Sequence, residues 1–316
     1  MIDIPVMHFW PAGRFSVKHF IPLGILCEDI ESFFNGIFAP HRVLLFSSAR
    51  SALKSVLQAH GISRPCLVWV MDYSSHCVFN AVSTVGTPLV GTPVGADLCV
   101  VYHQYGNQKV LTIDRPVIED SVDSFFVDGS GCFSHSSSRY EIISLPKVIS
   151  SCFGGLSVCK DEASFNALKN VREQGQLIPS GLVGMFRALK QSYPPALYLW
   201  EGSALYSPKT ASFMVNEIHS RLGKWDEMID RRLTNARVVY DRLGIITDKI
   251  RLPSAVMLPI ERIKEDIIPL VGHLIRNVYS DEIIGMQNIV NRRLLLPIHH
   301  EVDTSELNKF LDLTLK

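Results

Sequence analysis

The sequence predicts an α/β fold, a three-layer sandwich around a mostly parallel sheet, followed by a small C-terminal α+β domain. Three observations carry this prediction. Short, continuously apolar runs such as Cys66–Met71 and Leu98–Tyr102 suit parallel strands buried on both faces. Segments with helical spacing lie between such runs, the alternation expected of strand–helix crossovers. Beyond Lys160 the alternation gives way to long helical patterns and then to a few short strands.

Composition agrees. The 316 residues suggest about two domains at roughly 100–200 residues each, placed at 1–200 and 201–316. A chain that is 47% hydrophobic and 20% charged has the material for a packed core and is not disordered. Its 31 Lys+Arg are balanced by 31 Asp+Glu. Phosphate backbones need uncompensated positive charge, so nucleic acid is not an expected partner. Mean hydropathy is +0.17, yet no apolar run approaches the roughly 18–20 residues of a membrane helix, and no membrane partner is expected. Met1–Pro5 opens no secretory signal. The seven cysteines are scattered and form no C-x-x-C pair, as expected of reduced thiols in a cytoplasmic protein.

In chain order, residues 1–40 read as an irregular arm rich in aromatics, glycine and proline. Arg42–Phe46 is a short apolar strand. A helix over Arg50–His60 follows, with Ser47 or Ser48 as N-cap and Gly61 closing it. Ser75–Val85 reads as helix, and Pro88–Val90 and Pro116–Ile118 as strands. Glu141–Leu145 and Gly155–Val158 are spaced to pair as a hairpin. Asp161–Gln174 and Ser180–Gln191 read as helices, the second ending before Pro194-Pro195. Lys209–Leu243 carries one long helical pattern that bridges to the C-terminal part. There, strands at Ala255–Leu258 and Leu294–Pro297 alternate with helices at Arg262–Val278 and Thr304–Leu313.

Three local signals bear on chemistry. Ser48-Ala49-Arg50-Ser51-Ala52-Leu53 sits at a strand-to-helix junction, where free amides and the helix dipole favour an anion. Glu119-Asp120 directly follows a strand, and ligands of open α/β sheets bind beyond such carboxyl ends. A carboxylate there suits a cationic partner such as a protonated ring nitrogen. Lys147, among apolar residues and followed by Gly154-Gly155, can act as a nucleophilic amine. Taken singly these are an N-cap, a loop acid and a surface-seeking lysine. Together, in this order, they are the parts of a pyridoxal 5′-phosphate (PLP) site. The adjacent pair His299-His300 lacks the spacing of a metal site, and Gly91–Gly95 is not a dinucleotide fingerprint.

From about residue 42 onward the chain resembles the DegT/DnrJ/EryC1/StrS aminotransferases, PLP enzymes of fold type I. The motifs are Ser48–Leu53, Val70–Tyr73 with Asn80-Ala81-Val82, Val101–Gly106, Ile118–Ser121, Lys147 with Gly154-Gly155, Arg231–Ala236 with Tyr240, and Leu296–His300. The resemblance implies an amino transfer, with glutamate as donor, to a nucleotide-linked keto sugar, and hence a role in polysaccharide biosynthesis. It implies that Lys147 holds PLP as a Schiff base and shuttles a proton. Asp120 pairs with the pyridine nitrogen. The amides of Ala49 and Arg50 and the Ser144 hydroxyl hold the phosphate, and Tyr73 or His76 stacks on the ring. A homodimer is implied as well.

The chain also departs from the family pattern. Ala49 replaces the usual glycine, and Asp123 stands where Gln or His commonly meets the PLP phenolic oxygen. Carboxylate and phenolate repel unless a proton or water intervenes. Ser144 precedes the lysine by three residues rather than five, and the Gly-Tyr-Asn-Tyr-Arg-Met segment after Gly-Gly is missing. These departures leave a second reading: a family member that binds PLP or a sugar nucleotide without transamination. A sugar dehydratase is disfavoured, because Lys147 occupies the position where such enzymes carry histidine.

Overall fold

The computed structural model describes residues 5, 7–13, 16–176, 207–244, 250–284 and 287–316. Among them a seven-stranded sheet has the order β1-β8-β7-β5-β4-β2-β3, with β1 Arg42–Phe46, β2 Leu67–Val70, β3 Thr87–Leu89, β4 Leu98–Tyr102, β5 Val117–Asp120, β7 Ser138–Ser144 and β8 Gly155–Cys159. The strands from β7 to β3 run parallel, and β8 is antiparallel to both β7 and β1. The expected hairpin is therefore present, with a one-turn helix, α4 (Leu145–Val148), in its connection. A second sheet pairs β6 (Ser124–Phe126) with β9 (Arg251–Pro253). A third orders β10 (Ala255–Pro259), β12 (Gln287–Pro297) and β11 (Ile275–Ile284).

Side chains alternate across the main sheet as strand geometry requires. Leu44, Phe46, Ile118 and Ile142 pack with Leu53, Val56 and Leu57 of α2 (Ala49–Ala59) and with Val78 and Val82 of α3 (His76–Ser83). Val43 and Leu45 face the other way. They join a core that includes Ile218 and Val215 of α6 (Ser212–Leu222), Ala236 and Val239 of α7 (Trp225–Leu243), and Phe310 of α8 (Thr304–Thr314). Helix α5 (Glu162–Gln174) is capped by Asp161, whose side chain accepts from the Ser164 amide.

Three expectations need correction. The arm is not wholly irregular: Val17–Phe20 forms a 3₁₀ turn and Cys27–Ile37 forms α1. Ile30 and Phe34 of α1 are fully buried at helical spacing, and Asp29 accepts from the Leu26 amide. The long pattern Lys209–Leu243 is two helices, α6 and α7, parted at Gly223-Lys224. Glycine is a poor helix former, and the break brings Trp225 edge-on to Phe33 and Phe34 and stacked on Phe125. The expected helix Arg262–Val278 is a pair of 3₁₀ turns, Ile260–Arg262 and Gly272–Leu274, running into β11. Pro269 and Gly272 interrupt the helical register, and Val278 and Tyr279 instead pair with Asn291 and Val290. Ser180–Gln191 and Pro194-Pro195 lie outside the described residues.

At one crossing the main sheet leaves no room for a side chain. A Cβ on Gly155 would lie 2.2 Å from the Ala49 nitrogen, because β8 passes directly over the head of α2. Backbone cannot yield as a flexible side chain can. Gly155→Ala should therefore lower unfolding stability by about 3 kcal/mol or more, measured by denaturant titration of the cofactor-free protein.

Candidate active site

A cavity of about 400 Å³ opens at the carboxyl ends of β1, β2, β4, β5 and β7, the edge where open α/β sheets bind ligands. It brings together Ala49, Arg50, Tyr73, Asp120, Ser144 and Lys147, residues far apart in the sequence. Asp123 is tied to it through Lys147. His76 does not line it; this residue is the exposed first position of α3, while Tyr73, in the turn before it, does. The Tyr73 ring is stacked on Tyr279 with centroids 4.9 Å apart.

The head of α2 forms the anion-attracting wall. Ser48 is the N-cap, accepting from the Ser51 amide, and the first intrahelical bond runs from the Ala52 amide to the Ser48 carbonyl. The amides of Ala49 and Arg50 therefore precede the helical ladder. Arg50 and Lys209 add positive charge to the cavity lining.

Asp120 ends β5 on the face that carries Ile118, and so points toward α2 and the cavity. It is 2% exposed. Among the described residues its carboxylate accepts one hydrogen bond, from the Val122 amide at 3.4 Å. Burial pushes this carboxyl up to about 7; the Lys147 charge pulls it down and the Asp123 charge pushes it up. A buried acid so poorly supplied with donors calls for a cationic N–H. The protonated pyridine nitrogen of PLP meets that demand, and the head of α2 meets the demand of its phosphate. The residues present thus fit the cofactor.

Lys147 lies on α4. Its Nζ donates to Asp123 Oδ1 at 2.8 Å, and the Asp123 side chain is fully buried. The same oxygen accepts from Trp10 Nε1 at 3.0 Å, and Oδ2 accepts from the Tyr102 hydroxyl. Burial, followed by the neighbouring Asp123 charge, raises the Tyr102 phenol well above its usual range, so it remains a donor. The Lys147 ammonium also sits 4.7 Å from the centroid of the Trp10 ring. Asp123 therefore has three donors, which offset the repulsion expected beside a phenolate.

Arg232 of α7 supports the lysine from behind. Its guanidinium donates from one nitrogen to the carbonyls of Lys147 and Val148, at 3.0 and 2.9 Å. These are the last carbonyls of α4, where a cation complements the helix dipole. Arg232 is 1% exposed, its Nε has no hydrogen-bond partner among the described residues, and burial lowers its pKa to about 9.

The opposite face of β5 carries a second polar layer. Glu119 is fully buried and accepts from His103 Nε2 at 2.5 Å, from His135 Nδ1 at 2.9 Å and from the His135 amide at 2.8 Å. The other ring nitrogens accept backbone amides: His103 Nδ1 from Lys109, His135 Nε2 from Leu111. Each ring is thereby fixed in the tautomer that donates to Glu119. Burial alone would raise the Glu119 carboxyl, but the two histidine hydrogen bonds outweigh it and bring the group down to about 2. In the paired register Glu119 lies beside Glu141, whose charge is met by Arg251 at 3.5 Å and whose oxygen accepts from Ser121. The adjacent His299 and His300 have separate partners, the His8 carbonyl and the Ser150 hydroxyl.

Sequence reasoning did not select Trp10, Tyr102, Lys209 or Arg232 as site residues. Tyr102 and Arg232 lay within the motifs carrying the resemblance; Trp10 lay in the arm with no signal beyond its aromatic type.

The family model described as "Putative PLP-dependent aminotransferase" matches residues 30–315. The chain belongs to that family: it is a PLP-dependent aminotransferase, with PLP as its cofactor. No curated protein sequence matches it. Among solved structures it is similar to S. venezuelae DesV in complex with a ketimine intermediate, at 17% identity and a TM-score of 0.61, over 92% of this chain and 89% of that one. DesI in the presence of its TDP-sugar product gives 13% and 0.63, over 99% and 92%. A DegT DnrJ EryC1 StrS aminotransferase from Brucella abortus gives 13% and 0.63, over 94% and 91%. The fold is that of these fold-type I aminotransferases, as the sequence predicts. No helix among the described residues is long and apolar enough to cross a membrane.

The Asp120 environment has a measurable consequence. Its pKa in the folded protein, about 7, lies above the ordinary 3.8. Its contribution to stability is then complete below about pH 4 and is lost as pH rises through 7. Asp120→Asn cannot ionise. The variant should gain roughly 2–4 kcal/mol on the wild type between pH 4 and 8, read by denaturant unfolding of the cofactor-free proteins at both pH values. A constant difference would contradict this account of Asp120.

Proposed function

We propose that the protein transfers an amino group from glutamate to a nucleotide-linked keto sugar, as a step in polysaccharide biosynthesis. The observation that carries this reading is the meeting of the Lys147 amine, the under-supplied Asp120 carboxylate and the head of α2 in one cavity. The nature of the substrate rests on the motifs shared with the DegT/DnrJ/EryC1/StrS family and on the neighbours of this fold, one of which was solved with a TDP-sugar product. When bound, PLP supplies the electron sink that allows the amino donor to lose its α-proton.

The chain's own residues then divide the work. The amides of Ala49 and Arg50 and the Ser144 hydroxyl receive the phosphate, with Arg50 and Lys209 adding charge. Asp120 holds the pyridine nitrogen protonated. Tyr73 would lie along the ring, a role for which the exposed His76 outside the cavity lining is badly placed. Lys147 would hold the cofactor through its amine, and the same amine would carry a proton between the substrate carbon and the cofactor C4′ carbon. Asp123, held by Trp10 and Tyr102, would face the phenolic oxygen.

Residues 1–200 form the cofactor-binding part in this reading, and 201–316 the smaller part. A homodimer is supported by apolar side chains left at the surface near the arm, Phe20, Ile21, Leu23 and Leu26. A cytoplasmic site of action is in keeping with seven cysteines scattered along the chain. The 2.8 Å bond from Lys147 to Asp123 also favours a second reading, in which the amine stays engaged and PLP is bound without turnover.

Two measurements separate the readings. Wild-type protein given PLP and glutamate should lose the visible cofactor band as the amino group is transferred, and Lys147→Ala should cut that rate by about 10²–10⁴-fold or more. A retained band with no response to any amino donor would establish the binding role instead.

A further inference from the structure

The arm that carries Trp10 precedes the 30–315 span matched by the family, yet it is fastened to the site at several points. Met7 is buried in the main core. The His8 carbonyl accepts from His299 Nε2 at 2.8 Å, and the Ala12 amide donates to Glu301 Oε2 at 2.7 Å. Phe9 is stacked on Tyr105, with centroids 6.4 Å apart. A Cβ on Gly13 would lie 2.6 Å from the Ser151 carbonyl oxygen, so the arm presses onto the segment just after α4. These ties hold the backbone on both sides of Trp10 while the residue stays 40% exposed. One face of the indole is thus turned to Lys147, and much of the rest remains open to solvent.

We propose that Trp10 is a positioning residue for Lys147: its N–H fixes the carboxylate that holds the amine, and its ring shields that amine at the mouth of the cavity. Two contacts place it there. Nε1 and Lys147 Nζ share one oxygen of Asp123, at 3.0 and 2.8 Å. The ammonium lies 4.7 Å from the ring centroid, so ring, amine and carboxylate form a closed triangle. An aldehyde approaching Lys147 has to displace the indole or pass beside it. A cofactor or substrate that takes the amine from Asp123 also releases one of the groups that hold the indole in place. The inference rests on the assignment of Lys147 as the cofactor lysine, but its test does not depend on PLP.

The test uses the full-length, cofactor-free protein and trinitrobenzenesulfonate, a small reagent for amines, with modification mapped by peptide mass. Lys169, half-exposed on α5, serves as the internal reference. Trp10→Ala removes both ring and donor. Modification of Lys147 should become about tenfold faster, the low end of what a hydrogen bond to a charged group contributes, with the rate at Lys169 unchanged. Trp10→Phe keeps a ring but loses the donor, and should give a smaller acceleration. A wild-type rate at Lys147 in either variant would overturn the proposal. Acceleration at Lys147 and Lys169 alike would also overturn it, because that marks general loosening. If the wild type retains no PLP while these rates behave as expected, the cofactor reading fails and the role of Trp10 stands.

Discussion

The 2.8 Å salt bridge between Lys147 and Asp123 joins the connections that follow two neighbouring parallel strands, β7 and β5. Taking a carboxylate fully out of water is costly unless its lone pairs are filled. Three side chains from three distant parts of the chain do this for Asp123. The consequence is organisational. Once Asp123 has to be satisfied, the arm, the end of β4 and α4 must converge on one point, and the cavity forms around them.

The two faces of β5 handle buried charge in different ways. Glu119 is surrounded by donors whose tautomers are fixed by backbone amides, and it stays ionised far below neutrality. Asp120, one residue later and on the other face, is left with one long hydrogen bond. The first arrangement contributes rigidity, since every polar atom has an assigned partner. The second leaves a demand that a ligand meets. Adjacent acids in one four-residue strand thus divide into a structural group and a ligand-seeking one, and the division follows from which face each side chain takes.

Much of this was legible in the sequence. The runs at Cys66–Met71 and Leu98–Tyr102 suited buried strands, and Ser47 or Ser48 marked the head of α2, the structure choosing Ser48. Lys147 stood out as an amine in an apolar stretch. Other features were hidden for physical reasons. Ile263, Ile267, Val271 and Leu274 are all buried, at spacings that mimic a helix, although Pro269 and Gly272 prevent one. The break between α6 and α7 turns on one glycine in an otherwise continuous pattern. Tyr73 and His76 lie three residues apart across a turn, and only the direction of that turn separates them. Trp10 finds its partner 113 residues away, a distance no local pattern spans.

Arg232 ties the lysine to the C-terminal part of the chain. Its guanidinium grips the carbonyls of Lys147 and Val148, while the helix that carries it packs into the core shared with β10, β12 and α8. The arginine therefore works as a mechanical strut, with one end on the reactive segment and the other in the region that closes the molecule. The backbone beneath the amine and the core of the C-terminal region thus share one fastening.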